Sequence, residues 1–189
     1  MAQAFRLLVR RLAAFLLDWL LILVYIAILI GIGLLIRQSP LAPGWGALFA
    51  DANRAEATAF VLLVLPVIAY FALFESSARQ ATPGKRSLRL TVATLDGDRV
   101  AIGRAALRNL LKFIPWELAH ASIWHIPGLF SGQFPTASLP LGVQAGLILV
   151  YVIAAIYAIS LLVTPRRQTI YDLLTGTVVR PTASLPAGV

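Results

Sequence analysis

The sequence predicts an all-α integral membrane protein, a helical bundle with about four transmembrane helices and a small cytoplasmic β-hairpin element. Of its 189 residues, 59% are hydrophobic and only 13% are charged. The apolar residues occur in long runs rather than at amphipathic spacing, which is typical of membrane-spanning helices. The chain has 16 Lys and Arg residues and 8 Asp and Glu residues, which gives a net charge of +8. The basic residues stand mostly beside the apolar runs. Because basic residues in such places orient a chain in the lipid bilayer, a nucleic-acid partner is not expected.

Four apolar segments are predicted to cross the membrane. The predicted spans are about 12–36, 57–74, 106–126 and 139–163. The first is apolar apart from Asp18, and at about 1.5 Å per residue it is long enough for a hydrocarbon core roughly 30 Å thick. The second contains Pro66, which predicts a kink. The third contains several charged residues and a proline, so it could instead be an interfacial or re-entrant helix.

The distribution of basic residues predicts the orientation. They concentrate in the N-terminal tail, in the segment 76–104 and in the C-terminal tail, whereas 37–56 has balanced charges and 127–138 has none. Since basic residues mark the cytoplasmic side, both termini are expected in the cytoplasm, which requires an even number of crossings and favours four. We treat 1–180 as one membrane domain and expect a disordered tail at 181–189.

The segment 76–104 is predicted to contain a β-hairpin. Two short stretches, LRLTVATL and RVAI, flank an Asp-Gly-Asp sequence at 96–98. Asp-Gly suits the left-handed backbone conformations of a tight hairpin turn. Pro83-Gly84, earlier in the segment, marks another turn.

Asp18 is the most informative residue of the first helix. On an insertion scale, an Asp at the centre of a transmembrane helix costs about 2.5–3.5 kcal/mol, so a partner or a function is expected for it. Arg11 lies seven residues earlier on nearly the same helix face, too far along the axis for direct contact. Asp18 should therefore face another helix or a wet cavity. Two interpretations stay open: Asp18 bonds to another helix and fixes the packing, or it titrates on a proton or cation path.

Three segments together resemble the RDD family of small bacterial membrane proteins: RRLAAFLLDWLL, ATPGKRSLRLTVATLDGDRVAIGRAALRN and RRQTIYDLLTGTVV. The resemblance extends from about 6 to 180. The family is named for an Arg and an Asp in its first helix and a later Asp, which correspond here to Arg11 (with Arg10 as the alternative), Asp18 and Asp172. The other positions that match family motifs are Thr82, Pro83, Gly84, Lys85, Gly176 and Thr177. This chain departs from the family at Tyr171, where relatives commonly carry a His.

The resemblance implies a multi-pass protein of the bacterial cytoplasmic (inner) membrane that acts as a secondary transporter, by proton-coupled export or cation/proton antiport. The residues assigned to ion coupling or to the substrate path are Asp18, Asp172, Arg11 and Glu75. Glu75 is also expected to pair with the basic residues that follow it. The expected partners are the lipid bilayer, protons or small cations, a small solute and, because four helices enclose a narrow interior, further copies of the chain in a homo-oligomer. The alternative is a non-transporting scaffold or assembly subunit whose buried Arg and Asp residues fix helix packing.

Glu117 and His120 form a Glu-x-x-His pattern on one face of the predicted third helix. Di-iron sites in helix bundles need two such patterns and further acids, and this chain has one. We therefore expect these residues to be polar groups inside the bundle rather than metal ligands. The chain has no cysteine, and it shows no nucleophile triad and no phosphate-binding Gly loop. Neither an enzyme activity nor a cofactor is expected.

Overall fold

The computed structural model describes residues 2–129 and 138–182, and it is mostly helical. The helices are α1 (Ala2–Arg37), α2 (Ala42–Ala47), α3 (Ala52–Ala59), α4 (Leu65–Ser76), α5 (Pro83–Ser87), α6 (Ile102–Trp124), α7 (Leu141–Val163) and α8 (Ile170–Leu174). A π-helical turn, Phe60–Val64, joins α3 to α4, and the strands are β1 (Leu90–Thr94) and β2 (Thr177–Pro181). The predicted tail at 181–189 lies outside the described residues from 183 onward.

The chain forms two compact units. Unit 1 comprises Met1–Val24, Ile68–Leu111 and Tyr157–Val189, and unit 2 comprises Tyr25–Val67 and Lys112–Ile156.

Within residues 2–129 and 138–182, three helical stretches are long and apolar enough to cross a membrane: Phe5–Arg37, Ala52–Ser76 and Leu141–Val163. They coincide with the first, second and fourth predicted spans. The third predicted span is indeed helical, as α6, but its charged residues keep it out of this set. Four transmembrane helices are therefore not confirmed, whereas the mostly helical membrane architecture is.

Pro66 predicts a kink in the second apolar helix, and the structure has a π-helical turn, Phe60–Val64, that ends two residues before this proline. Proline has no N–H and clashes with the carbonyl four residues earlier, so the Leu62 carbonyl loses its usual helical partner. The Tyr25 hydroxyl of α1 donates a hydrogen bond to this carbonyl. An unpaired carbonyl is costly in an apolar environment, and the tyrosine removes that cost.

The same arrangement occurs in α6. Pro115 lies inside this helix and frees the carbonyl of Leu111, to which the Tyr157 hydroxyl of α7 donates a hydrogen bond. Near Pro66 and near Pro115, a tyrosine of another helix thus binds the carbonyl that the proline leaves free.

The predicted hairpin was wrong in its strand pairing. β1 pairs antiparallel with β2, with Val92 opposite Val179. The RVAI stretch contributes only an isolated bridge between Ala93 and Arg99. The turn itself is present, with Gly97 at a φ of +98°. Because α6 begins at Ile102, too few residues remain after the turn to form a strand, and β2 takes the place of the expected partner.

The apolar core of unit 1 lies between this sheet and the adjoining helices. It consists of Ala14, Ala72, Leu90, Val92, Val100, Ala105 and Val179. Three of these are alanines of α1, α4 and α6, and small side chains let helix backbones approach closely. This close packing places the polar side chains described next out of contact with solvent.

Candidate functional site

Asp18 is completely buried in unit 1 and accepts three hydrogen bonds. The Tyr70 hydroxyl of α4 donates to Oδ1 at 2.9 Å, and the Thr82 hydroxyl donates to Oδ2 at 2.6 Å. The backbone N–H of Gly84 also donates to Oδ1, at 2.9 Å. Asp18 therefore does face other elements, as expected for an acid in an apolar helix, and all three donors are neutral.

The Thr-Pro-Gly-Lys motif forms the turn that carries two of these donors. Thr82 is the N-cap of α5, where its Oγ1 accepts a hydrogen bond from the backbone N–H of Lys85 at 3.3 Å. Pro83 occupies the first helical position, which has no need of an N–H. The hydroxyl of Thr82 thus caps α5 and at the same time donates to Asp18.

Gly84 is required by the close approach of α5 to α1. A Cβ at this position would clash with the backbone carbonyl oxygen of Ala14 and would lie 2.8 Å from both Cγ and Oδ1 of Asp18. Real Cβ atoms essentially never come that close to other heavy atoms. The absence of a side chain allows the Gly84 N–H to reach the carboxylate.

Arg11 binds Asp172 rather than Asp18. Its Nη2 lies 3.2 Å from Oδ2 of Asp172, and its Nη1 donates to the backbone carbonyl of Arg167. The Arg and the second Asp of the predicted motif therefore form an ion pair across the two ends of the sequence.

Arg10, the alternative motif arginine, has a different role. Its Nε donates to the carbonyl of Leu88 at 2.9 Å, and its Nη2 donates to the carbonyl of Arg89 at 2.9 Å. Arg10 thus ties α1 to the turn between α5 and β1 and contacts neither Asp18 nor Asp172.

Asp172 is buried at the start of α8 and is surrounded by donors. The N–H and hydroxyl of Thr169 donate to Oδ2, and the hydroxyl of Thr177 donates to Oδ1. Arg108 adds two contacts to Oδ1, from Nε at 2.8 Å and from Nη2 at 2.7 Å. Burial alone would raise the pKa of Asp172, but Arg108, Arg11 and the hydrogen bonds outweigh it and hold the pKa below its usual value.

Glu75 is the third buried acid of unit 1. Lys85 Nζ lies 2.9 Å from Oε1, and Oε2 accepts hydrogen bonds from Arg108 Nη1 and Asn109 Nδ2, both at 2.8 Å. The expected pairing of Glu75 with a following base is therefore present, through Lys85. Arg108 is only 2% exposed and joins Glu75 to Asp172.

Together these side chains form a largely buried group with equal numbers of acids and bases, in which five are joined by ion pairs and Asp18 is bound to the α5 turn beside them. Its members, called the unit 1 network below, are Arg11, Asp18, Glu75, Lys85, Arg108 and Asp172. With all six ionised, three positive charges balance three negative ones.

Sequence reasoning missed Arg108 as a member of this network. It treated Arg108 as part of a basic stripe with Lys112, four residues later. The sequence does contain a signal. Acids inside a membrane domain need hydrogen-bond donors, and Arg108 and Asn109 are two adjacent donors within a predicted span. Tyr171, at the position where relatives commonly have His, lies with its ring centroid 5.1 Å from Arg108 Cζ, so an aromatic ring packs on the cation.

Glu117 and His120 belong to unit 2 and not to this network. The ring of His120 packs edge-on against Trp116, with centroids 4.9 Å apart. Glu117 lines a cavity with Asn53 and Glu56. In residues 2–129 and 138–182, no group of three or more His, Cys, Asp or Glu side chains could hold a metal ion.

Gly176 and Thr177 have structural positions at the end of α8. Gly176 adopts a positive φ of 58°, which favours glycine, and its N–H donates to the Leu173 carbonyl. Thr177 begins β2, and its hydroxyl donates to Asp172.

Comparison with known proteins finds a family match over most of the chain. The model of the RDD family matches residues 5–176, which include Arg11, Asp18 and Asp172. No curated protein and no solved structure matches the chain. Because the family match covers nearly the whole sequence, this membrane protein belongs to the RDD family.

Proposed function

We propose that this RDD protein is a secondary transporter, a proton-coupled exporter or a cation/proton antiporter, with Asp18 as the coupling carboxylate. One observation carries the proposal. Of the three buried acids in the unit 1 network, Glu75 and Asp172 contact cationic side chains, whereas the described donors to Asp18 are all neutral. Glu75 and Asp172 are thus held in ion pairs, whereas Asp18 contacts no cationic side chain among the described residues.

The groups around Asp18 can contact either protonation state, with a different hydrogen-bond pattern in each. An ionised carboxylate accepts all three hydrogen bonds. A protonated carboxyl group can donate to the oxygen of Thr82 or Tyr70, because a hydroxyl both donates and accepts. Gly84 N–H can continue to donate to the other carboxyl oxygen. In that arrangement the hydroxyl hydrogen of Thr82 or Tyr70 turns away from Asp18, so proton binding changes the hydrogen bonds of one of these two side chains.

We also propose that α6 is the fourth membrane-embedded helix, which would place both termini in the cytoplasm. Its first half has the polar side inward: Arg108 and Asn109 are buried, whereas Leu107 is 50% exposed and Leu110 is 46% exposed. An apolar outer face is what lipid contacts, and polar residues within membranes face the protein interior. Helix α6 carries four charged residues, and one of them, Arg108, is paired with acids within the protein.

Further parts of the proposal concern location and partners. The protein acts in the bacterial cytoplasmic membrane, moves protons or small cations together with a small solute, and works as a homo-oligomer. The size of the chain supports the last point, because four helices leave little interior for a solute path.

The test is a flux assay in proteoliposomes that contain a pH-sensitive dye. An imposed Na⁺ or K⁺ gradient should change the internal pH more with the wild-type protein than in protein-free vesicles. Asp18→Asn should abolish this change, because the amide cannot bind and release a proton, while it keeps an oxygen for Gly84 N–H. Asp98→Asn is the matched control, because Asp98 lies in the turn that follows β1 and is not part of the unit 1 network.

Two results would contradict the proposal. One is a wild-type flux equal to that of empty vesicles for every cation and solute tested. The other is full flux with Asp18→Asn.

The alternative function is a scaffold or assembly subunit, and one observation favours it. Asp18 is fully hydrogen-bonded, and Gly84 packs directly on α1, as expected of a residue that locks helices together. A scaffold predicts that Asp18→Asn loses thermal stability or oligomer formation. A transporter predicts that the variant keeps both and loses flux.

Reporter fusions test the proposed topology. A reporter fused after residue 95 or after residue 189 should give a cytoplasmic signal, and one after residue 40 should give an external signal. An external signal after residue 189 would contradict four crossings.

A further inference from the structure

We propose that unit 1 binds the headgroups of anionic phospholipids through four exposed arginines, called the arginine belt below. The belt consists of Arg6, Arg79, Arg104 and Arg166. None of the four belongs to the unit 1 network, and none makes an ion pair within the part of the chain that the structure describes. The proposal therefore concerns a surface of the molecule and does not depend on transport through Asp18.

The excess positive charge of the chain lies entirely in one of its two units. In unit 2, equal numbers of basic and acidic residues balance each other, namely Arg37, Arg54 and Lys112 against Asp51, Glu56 and Glu117. The net charge of +8 therefore belongs to unit 1. Since the unit 1 network is itself neutral, this charge stands outside the network. A surface of one sign attracts a partner of the opposite sign.

Each belt arginine stands near the end of a different long helix. Arg6 is near the start of α1, and Arg104 is in the first turn of α6. Arg79 follows the last residue of α4 by three residues, and Arg166 follows the last residue of α7 by the same number. One exposed cation is thus present for each of the three apolar helices that could cross a membrane and for α6.

The buried contacts place these four helix ends at a similar level. Arg11, Glu75 and Arg108 are joined by ion pairs, partly through Asp172. On α1, α4 and α6, the belt arginine stands four or five residues further towards or past the helix end, which is about one helical turn. The fourth, Arg166, directly precedes the residue whose carbonyl binds Arg11. The belt therefore surrounds the bundle about one turn beyond the network.

Exposed apolar side chains adjoin the belt. Val9 follows Arg6 by three residues, and Leu107 follows Arg104 by three, so the members of each pair share a helix face. Both apolar side chains are exposed. At the end of a membrane helix, an arginine lays its methylene groups along apolar surface and extends its charge to the lipid headgroups.

A groove beside Arg104 shows why a phospholipid fits better than a soluble anion. It has a volume of about 480 Å³ and is lined by Gly103, Arg104, Leu107, Leu174, Thr175 and Gly176. A guanidinium group binds phosphate through paired N–H donors. The two leucines are exposed and suit an acyl chain, which a soluble anion lacks. A phospholipid would use both the cation and the apolar walls.

The test is native mass spectrometry of the full-length protein in detergent, with equal concentrations of dioleoylphosphatidylglycerol and dioleoylphosphatidylcholine. The first lipid is anionic and the second zwitterionic, and their acyl chains are identical, so the ratio of their protein adducts reports the headgroup alone. The wild type should carry more phosphatidylglycerol. Arg6→Gln/Arg79→Gln should lower the ratio at least about fivefold, which is the effect of about one basic residue near an anionic surface.

Arg37→Gln/Arg54→Gln is the matched control. Arg37 and Arg54 are exposed arginines near the other ends of the same two apolar helices, Phe5–Arg37 and Ala52–Ser76. Both double variants remove two positive charges. The control should keep the wild-type ratio, because the charges of unit 2 are balanced. Arg104→Gln is a second variant that leaves α1 and α4 unchanged, and it should also lower the ratio.

Thermal unfolding in detergent separates a lipid from a free anion. Phosphatidylglycerol should raise the melting temperature of the wild type more than phosphatidylcholine does, because a ligand that binds only the folded state stabilises it. Inorganic phosphate at the same concentration should not reproduce this rise. Without lipid, the belt variants should melt as the wild type does, because the replaced side chains are exposed.

Three results would overturn the proposal. The wild type could take up the two lipids equally. The control could lower the ratio as much as Arg6→Gln/Arg79→Gln, or neither that variant nor Arg104→Gln could lower it. Inorganic phosphate could raise the melting temperature as much as phosphatidylglycerol, which would indicate binding of a free anion. Since lipid binding is measured at equilibrium and without a gradient, its failure leaves the flux result through Asp18 unaffected.

Discussion

Replacing Gly84 with alanine is predicted to separate α5 from α1 and to break the hydrogen bonds that hold Asp18. The added Cβ would clash with the Ala14 carbonyl oxygen and lie 2.8 Å from the Asp18 carboxylate. The Ala14 oxygen belongs to the backbone of a long helix and cannot move locally. The α5 turn must therefore retreat, and it carries both the Gly84 N–H and the Thr82 hydroxyl.

The size of the effect follows from two contributions. Overpacking of a tight contact costs about 1–3 kcal/mol. Loss of a donor to the buried Asp18 carboxylate adds about 1–3 kcal/mol. The unfolding free energy should thus fall by about 2–6 kcal/mol, and at about 2–4 °C per kcal/mol for a chain of this size the melting temperature should fall by roughly 4–24 °C.

The assay is thermal unfolding followed by tryptophan fluorescence, with all variants in the same detergent and at one heating rate. Gly103→Ala is the matched control, because Gly103 is also in a helix and a Cβ there meets no atom within 4 Å. Its melting temperature should equal or slightly exceed that of the wild type, since alanine is the better helix former. The reasoning is refuted if Gly84→Ala melts within about 2 °C of Gly103→Ala, a difference of at most about 1 kcal/mol.

Three further predictions concern the buried polar contacts. Arg108→Gln should lower the unfolding free energy by about 3–5 kcal/mol, because it leaves the buried carboxylates of Glu75 and Asp172 without their shared cation; chemical or thermal unfolding measures this. Tyr157→Phe should cost about 1–2 kcal/mol in the same assay, because the Leu111 carbonyl loses its donor. The pKa of Asp172 is lower in the folded state than in the unfolded state, so Asp172 stabilises the fold above its unfolded pKa and loses this contribution as pH falls through its folded pKa. Melting temperatures measured from pH 7 down to pH 3 should therefore fall more steeply for the wild type than for Asp172→Asn.

The first two of these predictions each have a control of the same chemistry. Arg104→Gln lies on the same helix as Arg108 but on an exposed position, and it should change stability little. Tyr151→Phe is the control for Tyr157→Phe. Tyr151 is 76% exposed, so this substitution should also change stability little. Equal losses in an exposed control and its buried counterpart would contradict the burial argument. Parallel pH curves for the wild type and Asp172→Asn would contradict the linkage argument.

The sequence allowed the spanning helices and the anomalous acid to be predicted, because both are local signals. A long apolar run and a single carboxylate within it can be recognised without knowing what lies nearby. The donors to Asp18 were only partly predictable. The family motifs included Thr82 and Gly84, which bind Asp18, and also Asp172. No local pattern indicated that the Thr-Pro-Gly-Lys turn binds Asp18 or that Arg11 binds Asp172.

Long-range pairings account for the rest of the difference. The partner of β1 lies more than eighty residues along the chain, whereas the expected hairpin partner was the nearest stretch. Arg108 was missed for the same reason, since its partners Glu75 and Asp172 come from other elements on either side in the sequence. In both cases the local sequence pattern was compatible with several tertiary arrangements. Which arrangement forms depends on contacts with residues far away in the sequence.

The charge balance of the unit 1 network gives the transport proposal a physical consequence. With Asp18 ionised, the six groups of the unit 1 network carry no net charge; with Asp18 protonated, they carry one positive charge in a region where four of the six are fully buried. Net buried charge is costly, so protonation should favour a conformation that brings a cation into water. Lys85 is a base placed to do so, because its side chain is partly exposed and it directly follows Gly84, whose N–H binds Asp18. Proton binding at Asp18 would thus be linked to movement of the α5 turn, and a conformation that depends on the proton is what coupled transport requires.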